Sequence, residues 1–392
     1  MIKESPIVEL DVSALYKPLR LKKVVLRNRL VVPAMQRGAS EGGRPPPALA
    51  EYYRRRIEGG FSLIIAESCA VDHPSASHKE SVVRMNESTM EAWRDCVVAV
   101  SGVGGHTLIQ LWHEGAQRSE LSAGLHAGIP TISPSGLLNG SRRSGRSATL
   151  EELQELESSY VRSALMALEI GAAGVEIHAG HGYLLDQFLW AQTNRRDDGY
   201  GGDDLAHRLR FPAEVVSAVR RATGPDFIIS FRFSQWKVSY EGLTPIIDAN
   251  ACIVRSPQEL DLMLTTLRHA GVDLFHASTR NFDKPEWPPS NRGLAGWSRG
   301  LAGVPVITVG SIGGNNDAEE SSTRALEGAG QALRSSLSRL MTRFQAGEFD
   351  LVAIGRASIG DPDWANKVKD SRFGEIRRFD RQQLLEIRNQ IT

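Results

Sequence analysis

Cysteine is scarce in this 392-residue chain: Cys69, Cys96 and Cys252 stand far apart, and no Cys-x-x-Cys occurs. That argues against a zinc ribbon or an iron–sulfur cluster. It also leaves no disulfide framework, so a reducing cytosol is the expected compartment. Long apolar runs are missing too. None approaches the ~18 residues of a membrane span, and the charged opening MIKESPIVELDVSALY has no apolar core to serve as a signal peptide. Charge of one sign is lacking as well. Lys+Arg and Asp+Glu balance at 46 each, so nothing points to nucleic acid or to an acidic disordered chain. What remains is an ordinary globular composition, 41% hydrophobic and 23% charged, expected in the cytoplasm with small molecules as partners rather than membranes or nucleic acid.

Short apolar runs recur instead. RLVVPAM, FSLIIAES, TLIQLWH, GVEIHA, FIISFRFS, VDLFHAS, VPVITVGS and FDLVAIGR end near Met35, Ser68, His113, His178, Ser234, Ser278, Ser311 and Arg356. Each is nearly continuous in apolar residues, as strands covered on both faces are. Several are entered through a glycine turn, at Gly59-Gly60, Gly171, Gly271 and Gly347. The intervals have helical spacing: 150–170, opened by Thr149 as N-cap with Glu152 three residues on, then 204–222 and 256–270. Eight alternating units predict an α/β fold, a single-domain (β/α)8 TIM barrel over 1–392 with a C-terminal extension from about 371. Residues 114–148 read as a long surface excursion. Residues 279–300, with Pro285, Trp287, Pro288, Pro289 and Trp297, read as a lid, with Trp297 a candidate substrate contact. The seventh connection, 312–347, is longer than a minimal barrel needs.

In this architecture chemistry collects at the C-terminal ends of the strands. Here those ends carry Met35, Ser68, Gln110, His113, His178, Arg232, His276, Gly310 and Arg356. TVGSIGG and AIGRAS place Gly310, Ser311 and Gly355 at strand-to-helix turns, where backbone amides can approach a phosphate and Arg356 can add a bidentate contact. Arg232 needs an anionic partner if buried: either Glu176 in a structural ion pair, or a cofactor that gains negative charge. Gln110 is either a satisfied core amide or a donor–acceptor for a heteroaromatic edge. GVEIHAGHGYLLDQFL places His178, His181 and Tyr183 just where a strand ends. With His113 and His276 the imidazoles could ligate a metal, or they could be core residues. Arg232 in the same mouth, and the lack of carboxylates at the strand ends apart from Glu67, favour a different reading. In it, His178 and His181 are a donor pair that grips a substrate oxygen, and Tyr183 is an acid beside them.

These residues together resemble the old yellow enzyme family of flavin-dependent oxidoreductases, over about residues 15–370. The motifs are LKKVVLRNRLVVPAM, FSLIIAESCAV, IQLWHEGAQR, GVEIHAGHGYLLDQFLWAQTNRRDDGYGGDDLAHRLRF, FRFSQWK, VITVGSI and VAIGRASIGDPDWA. The resemblance implies one non-covalent FMN at the barrel mouth. Its phosphate would lie by Gly310, Ser311, Gly355 and Arg356, its pyrimidine edge by Arg232 and Gln110, and backbone contacts would come from Pro33, Ala34 and Ser68. It further implies NADH or NADPH as reductant, then hydride transfer to the C=C of an unsaturated carbonyl or nitro compound. His178 and His181 would hold the acceptor oxygen and Tyr183 would supply the proton. Where many relatives carry Thr or Cys after Pro33-Ala34, this chain has Met35, which cannot donate a hydrogen bond. Longer relatives of the dienoyl-CoA reductase type carry an iron–sulfur cluster and a further nucleotide domain; their Cys spacing and Rossmann fingerprint are missing here. Competing readings are a flavin-dependent amine dehydrogenase, a metal-dependent barrel hydrolase, and an FMN-binding barrel without turnover. No 2′-phosphate site separates NADPH from NADH. The C-terminal GEIRRFDRQQLLEIRNQ could pack on the barrel or reach a neighbouring subunit of a homo-oligomer.

Overall fold

The structure, a computed structural model, describes residues 10–119, 124–241, 244–313, 328–384 and 387. Eight strands form a closed parallel barrel: β1 (Leu30–Val32), β2 (Leu63–Ile65), β3 (His106–Trp112), β4 (Gly174–His181), β5 (Ile228–Glu241), β6 (Leu274–Ser278), β7 (Val306–Val309) and β8 (Leu351–Ala353). Each pairs in parallel with the next, and β8 returns to β1 through Val352↔Leu30. Helices surround it: α1 (Pro47–Glu58), α2 (Met90–Ser101), α3 (Leu150–Glu169), α4 (Leu184–Leu189), α5 (Leu205–Thr223), α6 (Pro257–Ala270), α7 (Leu294–Ala302), α8 (Gly328–Gln345), α9 (Arg356–Gly360) and α10 (Trp364–Lys369). This is the expected (β/α)8 barrel. None of the described helices is long and apolar enough to cross a membrane.

Strand periodicity explains both the core and the site. Successive side chains point to opposite faces. Val31, Leu63, Ile65, Leu108, Ile228, Leu274, Ile307 and Leu351 therefore fill the barrel interior, while Ile64, Ile109, Val175, Phe231 and Phe275 pack outward under the helices. An antiparallel hairpin, Leu19–Leu21 with Val24–Leu26, contributes Leu21 and Leu26 to the interior layer. Two residues further along the same inward face the side chains turn polar: Gln110 on β3, Glu176 on β4, Ser230 on β5, His276 on β6. The apolar layer stabilises the barrel by about 1.5–3 kcal/mol for each fully buried large side chain, and it forms the floor of the polar one.

The predicted capping box at α3 is present: Glu152 N donates to Thr149 Oγ1 at 3.2 Å and Thr149 N to Glu152 Oε2 at 2.9 Å. Other expectations need correcting. β5 does not stop at Ser234. It runs to Glu241, with buried and part-exposed side chains alternating over Gln235–Val238, and pairs antiparallel with Thr244–Asp248, which is exposed throughout. The 114–148 excursion contains paired segments, Ile132–Ser133 with Arg146–Ser147 and Leu137–Asn139 with Arg142–Arg143. The 279–300 segment is tied to α8 at Asp283, which lies 2.6 Å from Arg343 and 2.9 Å from Arg339. Of the long seventh connection, 314–327 lies outside the described residues, as do 385–386 and 388–392 of the C-terminal extension. The described part of that extension lies on the barrel, with Arg37 Nη2 donating to Gln383 O at 2.6 Å.

Candidate active site

Glu176 organises the polar layer. Fully buried, it accepts hydrogen bonds from Gln110 Nε2 at 2.7 Å, His276 Nδ1 at 2.8 Å and Ser230 Oγ at 3.1 Å. Burial opposes its ionisation, but the His276 contact, the Arg232 charge and the Gln110 bond outweigh burial and hold it down to about 2. Arg232 makes no direct ion pair with it. Its Nη atoms lie 3.4 Å from Ala34 O and 3.3 Å from Ser278 Oγ, and its Nε is buried without a partner. Gln110 is engaged at both ends, accepting from Ser68 Oγ at 2.6 Å while donating to Glu176. The core-amide reading therefore accounts for most of its bonds.

His178, His181 and Tyr183 come together. The imidazole centroids are 5.0 Å apart, and the Tyr183 ring is 5.4 Å from His178. A register shift between Ala179 and His181 re-aims the end of β4, and His181 takes φ +62, a left-handed conformation uncommon outside glycine. That turn is braced. His181 N donates to Ser234 Oγ at 2.8 Å and Gly182 N to Asp186 Oδ2 at 2.5 Å, while Lys237 Nζ sits 2.8 Å from Asp186 Oδ1 in a buried ion pair. His181 Nε2 lies 2.9 Å from Ser278 Oγ, and the Trp236 ring lies tilted against its ring with centroids 4.4 Å apart. Burial, then the Arg232 charge, pushes His178 down to about 3. Burial and the neighbouring His178 and Arg232 take His181 well below its ordinary 6.5. Both imidazoles are neutral. Burial, with Tyr240 and Glu114 nearby, raises the Tyr183 phenol well above 10, so it keeps its proton.

A cleft of ≈ 340 Å³ opens beside this group. It brings together Pro33, Ala34, Met35, Arg232, Gly310, Ser311, Gly355 and Arg356, eight of the residues singled out from the sequence. Gly310 has φ +137, and a Cβ there would sit 2.5 Å from Thr279 O, so the turn after β7 admits only glycine. Ser311 follows at φ +49, its hydroxyl donating to Arg280 O at 2.7 Å. Trp297 lies on α7, edge-to-face with Trp287 at 5.8 Å; like His178, His181 and Tyr183, it is not among the residues lining this cleft. The four histidines do not converge. His113 Nε2 turns to Ser75 Oγ at 2.9 Å, and His276 is held by Glu176. Among the described residues no group of three or more His, Cys, Asp or Glu could hold a metal ion.

Sequence reasoning missed Glu176 as the organising carboxylate, the Asp186–Lys237 brace, and Trp236, Ile247, Thr279 and Arg280 in the cleft wall. A usable signal existed for Glu176 alone: an acid at an inward position of an otherwise apolar strand.

A profile of the NADH:flavin oxidoreductase / NADH oxidase family matches residues 14–331. An NADH oxidase of Thermoanaerobacter brockii is 31% identical over 375 residues, 93% of this chain and 52% of that protein. A chanoclavine-I aldehyde reductase of Penicillium roqueforti is 32% identical over 303 residues, 76% of this chain and 77% of the relative. The chain thus spans about half the length of the first of these. The structure of morphinone reductase in complex with tetrahydroNAD shares the fold, with a TM-score of 0.75 at 24% identity over 95% of this chain and 94% of that one.

The cofactor of this family is FMN, with NADH or NADPH as reductant, and the cleft fits it. Side-chain-free backbone at Gly310 and Gly355 flanks Arg356, and the buried Arg232 Nε waits for an acceptor. Matched over most of its length and built round a cleft of this kind, the chain belongs to the NADH:flavin oxidoreductase / NADH oxidase family, in agreement with its resemblance to old yellow enzyme.

Proposed function

We propose that this protein is an FMN-dependent, NAD(P)H-driven reductase of activated alkenes, unsaturated carbonyl or nitro compounds. The convergence of two neutral imidazoles and one protonated phenol beside the cleft carries the reading. Gly310, Ser311, Gly355 and Arg356 would hold the cofactor phosphate, and Pro33, Ala34 and Met35 would border its ring. Ser68 and Gln110 would approach the ring from the polar layer. Arg232 stays cationic despite burial and would stabilise negative charge on the ring edge. Reduced FMN supplies the electron pair and one hydrogen to the substrate alkene.

His178 and His181 would each donate an N–H to the substrate oxygen, drawing electron density from the conjugated carbon. Neutral donors suit this task, since they polarise the oxygen without giving up a proton to it. Tyr183 would protonate the other alkene carbon, and its raised pKa keeps it in the acid form at neutral pH. Amine oxidation would favour a carboxylate in the cleft wall. Among the described residues no carboxylate lines the cleft, and Glu176 lies below it, engaged by Gln110 and His276.

An anaerobic absorbance titration tests the proposal. The yellow of the purified protein should bleach with NADPH or NADH and return on adding 2-cyclohexenone or a nitroalkene. A colourless protein that takes up no added FMN, or a reduced flavin that neither acceptor reoxidises, would refute it.

A further inference from the structure

At the other end of α9 from the cleft, a second pocket of ≈ 210 Å³ lies between α1 and the segment Ile359–Pro362. Its wall includes Tyr52, Arg55, Arg56 and Arg377. Behind Tyr52 stands Arg37, with its guanidinium 4.9 Å from the ring; Arg56 stacks on the same ring at 3.3 Å. Arg37 is 3% exposed, Arg56 4% and Tyr52 8%. Yet Arg37 Nε and Nη1, Arg56 Nε and Tyr52 Oη have no hydrogen-bond partner. The bonds these cations do make end on neutral carbonyls: Arg37 to Gln383 O, Arg56 to Tyr52 O at 2.8 Å and to Ile359 O at 3.3 Å. Among the described residues the acids nearby are engaged elsewhere: Glu51, on the pocket wall, binds Arg54 at 2.8 Å, Asp361 binds Lys367 at 2.7 Å, and the buried Glu67 accepts from the backbone N of Arg37 at 2.7 Å without an ion pair to its guanidinium.

Two buried guanidiniums on one aromatic ring repel each other, and buried charge without a counter-ion is costly. Unsatisfied buried donors call for a missing acceptor. We propose that this pocket is a binding site for a phosphate-sized oxyanion, separate from the flavin cleft. At ~30 Å³ per liquid water, the volume holds a tetrahedral anion with a few waters. Tyr52 and Arg56 form the inner wall, where their solvent-shielded Oη and Nε would turn to the anion, and Arg55 and Arg377 stand at the exposed rim. Arg56 also links the site to α9 through Ile359 O, the helix whose other end borders the flavin cleft.

The test is calorimetric titration of the FMN-loaded protein, in phosphate-free buffer, with inorganic phosphate and separately with phenyl phosphate. Saturable one-to-one binding of inorganic phosphate is expected. Tyr52→Phe, which keeps the ring, should weaken it about tenfold, the loss of one hydrogen bond to a charged group. Arg377→Gln, at the exposed rim, should weaken it several-fold without disturbing the fold or the flavin spectrum, and it decides the matter even if Tyr52→Phe fails to fold. Phenyl phosphate binding with the same sensitivity would assign the site to the phosphoryl group of a larger ligand; its exclusion would assign a free anion. No saturable binding of either, or binding indifferent to Arg377→Gln, would overturn the proposal.

Discussion

His276 Nδ1 lies 2.8 Å from Glu176 Oε2 at the centre of the barrel, both side chains fully buried. With Gln110 and Ser230 on the same carboxylate, the pair joins β3, β4, β5 and β6 directly beneath the active-site residues. The carboxylate also offsets Arg232, whose charge would otherwise stand alone in the mouth.

Replacing Glu176 with Gln keeps the shape but removes the charge, and one amide oxygen cannot accept all three hydrogen bonds. We expect a loss of about 3–5 kcal/mol, the usual consequence of breaking a buried charge network, measured by urea unfolding. The native carboxyl titrates near 2 against an ordinary 4.5, so its contribution is fully present above 4.5 and is lost as pH falls through 2. An acid-unfolding curve of Glu176→Gln that overlays wild type would contradict this.

The imidazoles act in the same sense over a higher pH window. His178 is held at about 3 in the folded protein against an ordinary 6.5, so between those values the unfolded chain binds protons that the native chain refuses. Stability should therefore decline as pH falls below 6.5, and the decline should be shallower in His178→Gln. Urea midpoints across this range provide the check; parallel profiles for the two proteins would count against a neutral, buried His178.

Tyr183→Phe removes the proposed acid and leaves the ring that packs edge-to-face on Trp112 at 5.0 Å. Enone reduction should slow by about a hundred- to ten-thousand-fold, while reduction of the flavin by NAD(P)H proceeds at its usual rate. Stopped-flow measurement of the two half-reactions separates these. Equal slowing of both would point to a general distortion of the site.

Met35 places its sulfur 3.6 Å from where a Cβ on Gly355 would stand, at the edge of the cleft. A thioether offers no donor there, whereas a threonine hydroxyl would. Met35→Thr should raise the flavin reduction potential, as measured by dye-linked photoreduction. A potential at or below that of wild type would refute the assignment.

The eight strands, their order and the glycine turns after β7 and β8 were legible in the sequence, because a strand covered on both faces must be apolar along its whole length and a positive-φ turn such as Gly310 admits little else. The His178-x-x-His181-x-Tyr183 cluster was legible for the same local reason: all three residues lie within one strand end and the turn after it. Contacts between distant segments were not. The sequence leaves Arg232 open between Glu176 and a cofactor; only the closed barrel, by setting β3, β4, β5 and β6 in register, commits Glu176 to Gln110, Ser230 and His276 and leaves Arg232 Nε for another acceptor. The contact of Trp297 on α7 with Trp287 was likewise not written locally. Nothing local distinguishes Arg37 and Arg56 from solvated cations, since 19 residues separate them. Their burial on one ring follows from tertiary packing, which brings Arg37, from the segment after β1, to Tyr52 on α1 and links Arg56 to Ile359 O of α9. Periodicity is written into neighbouring residues, whereas pairing across the barrel depends on which segments closure brings together.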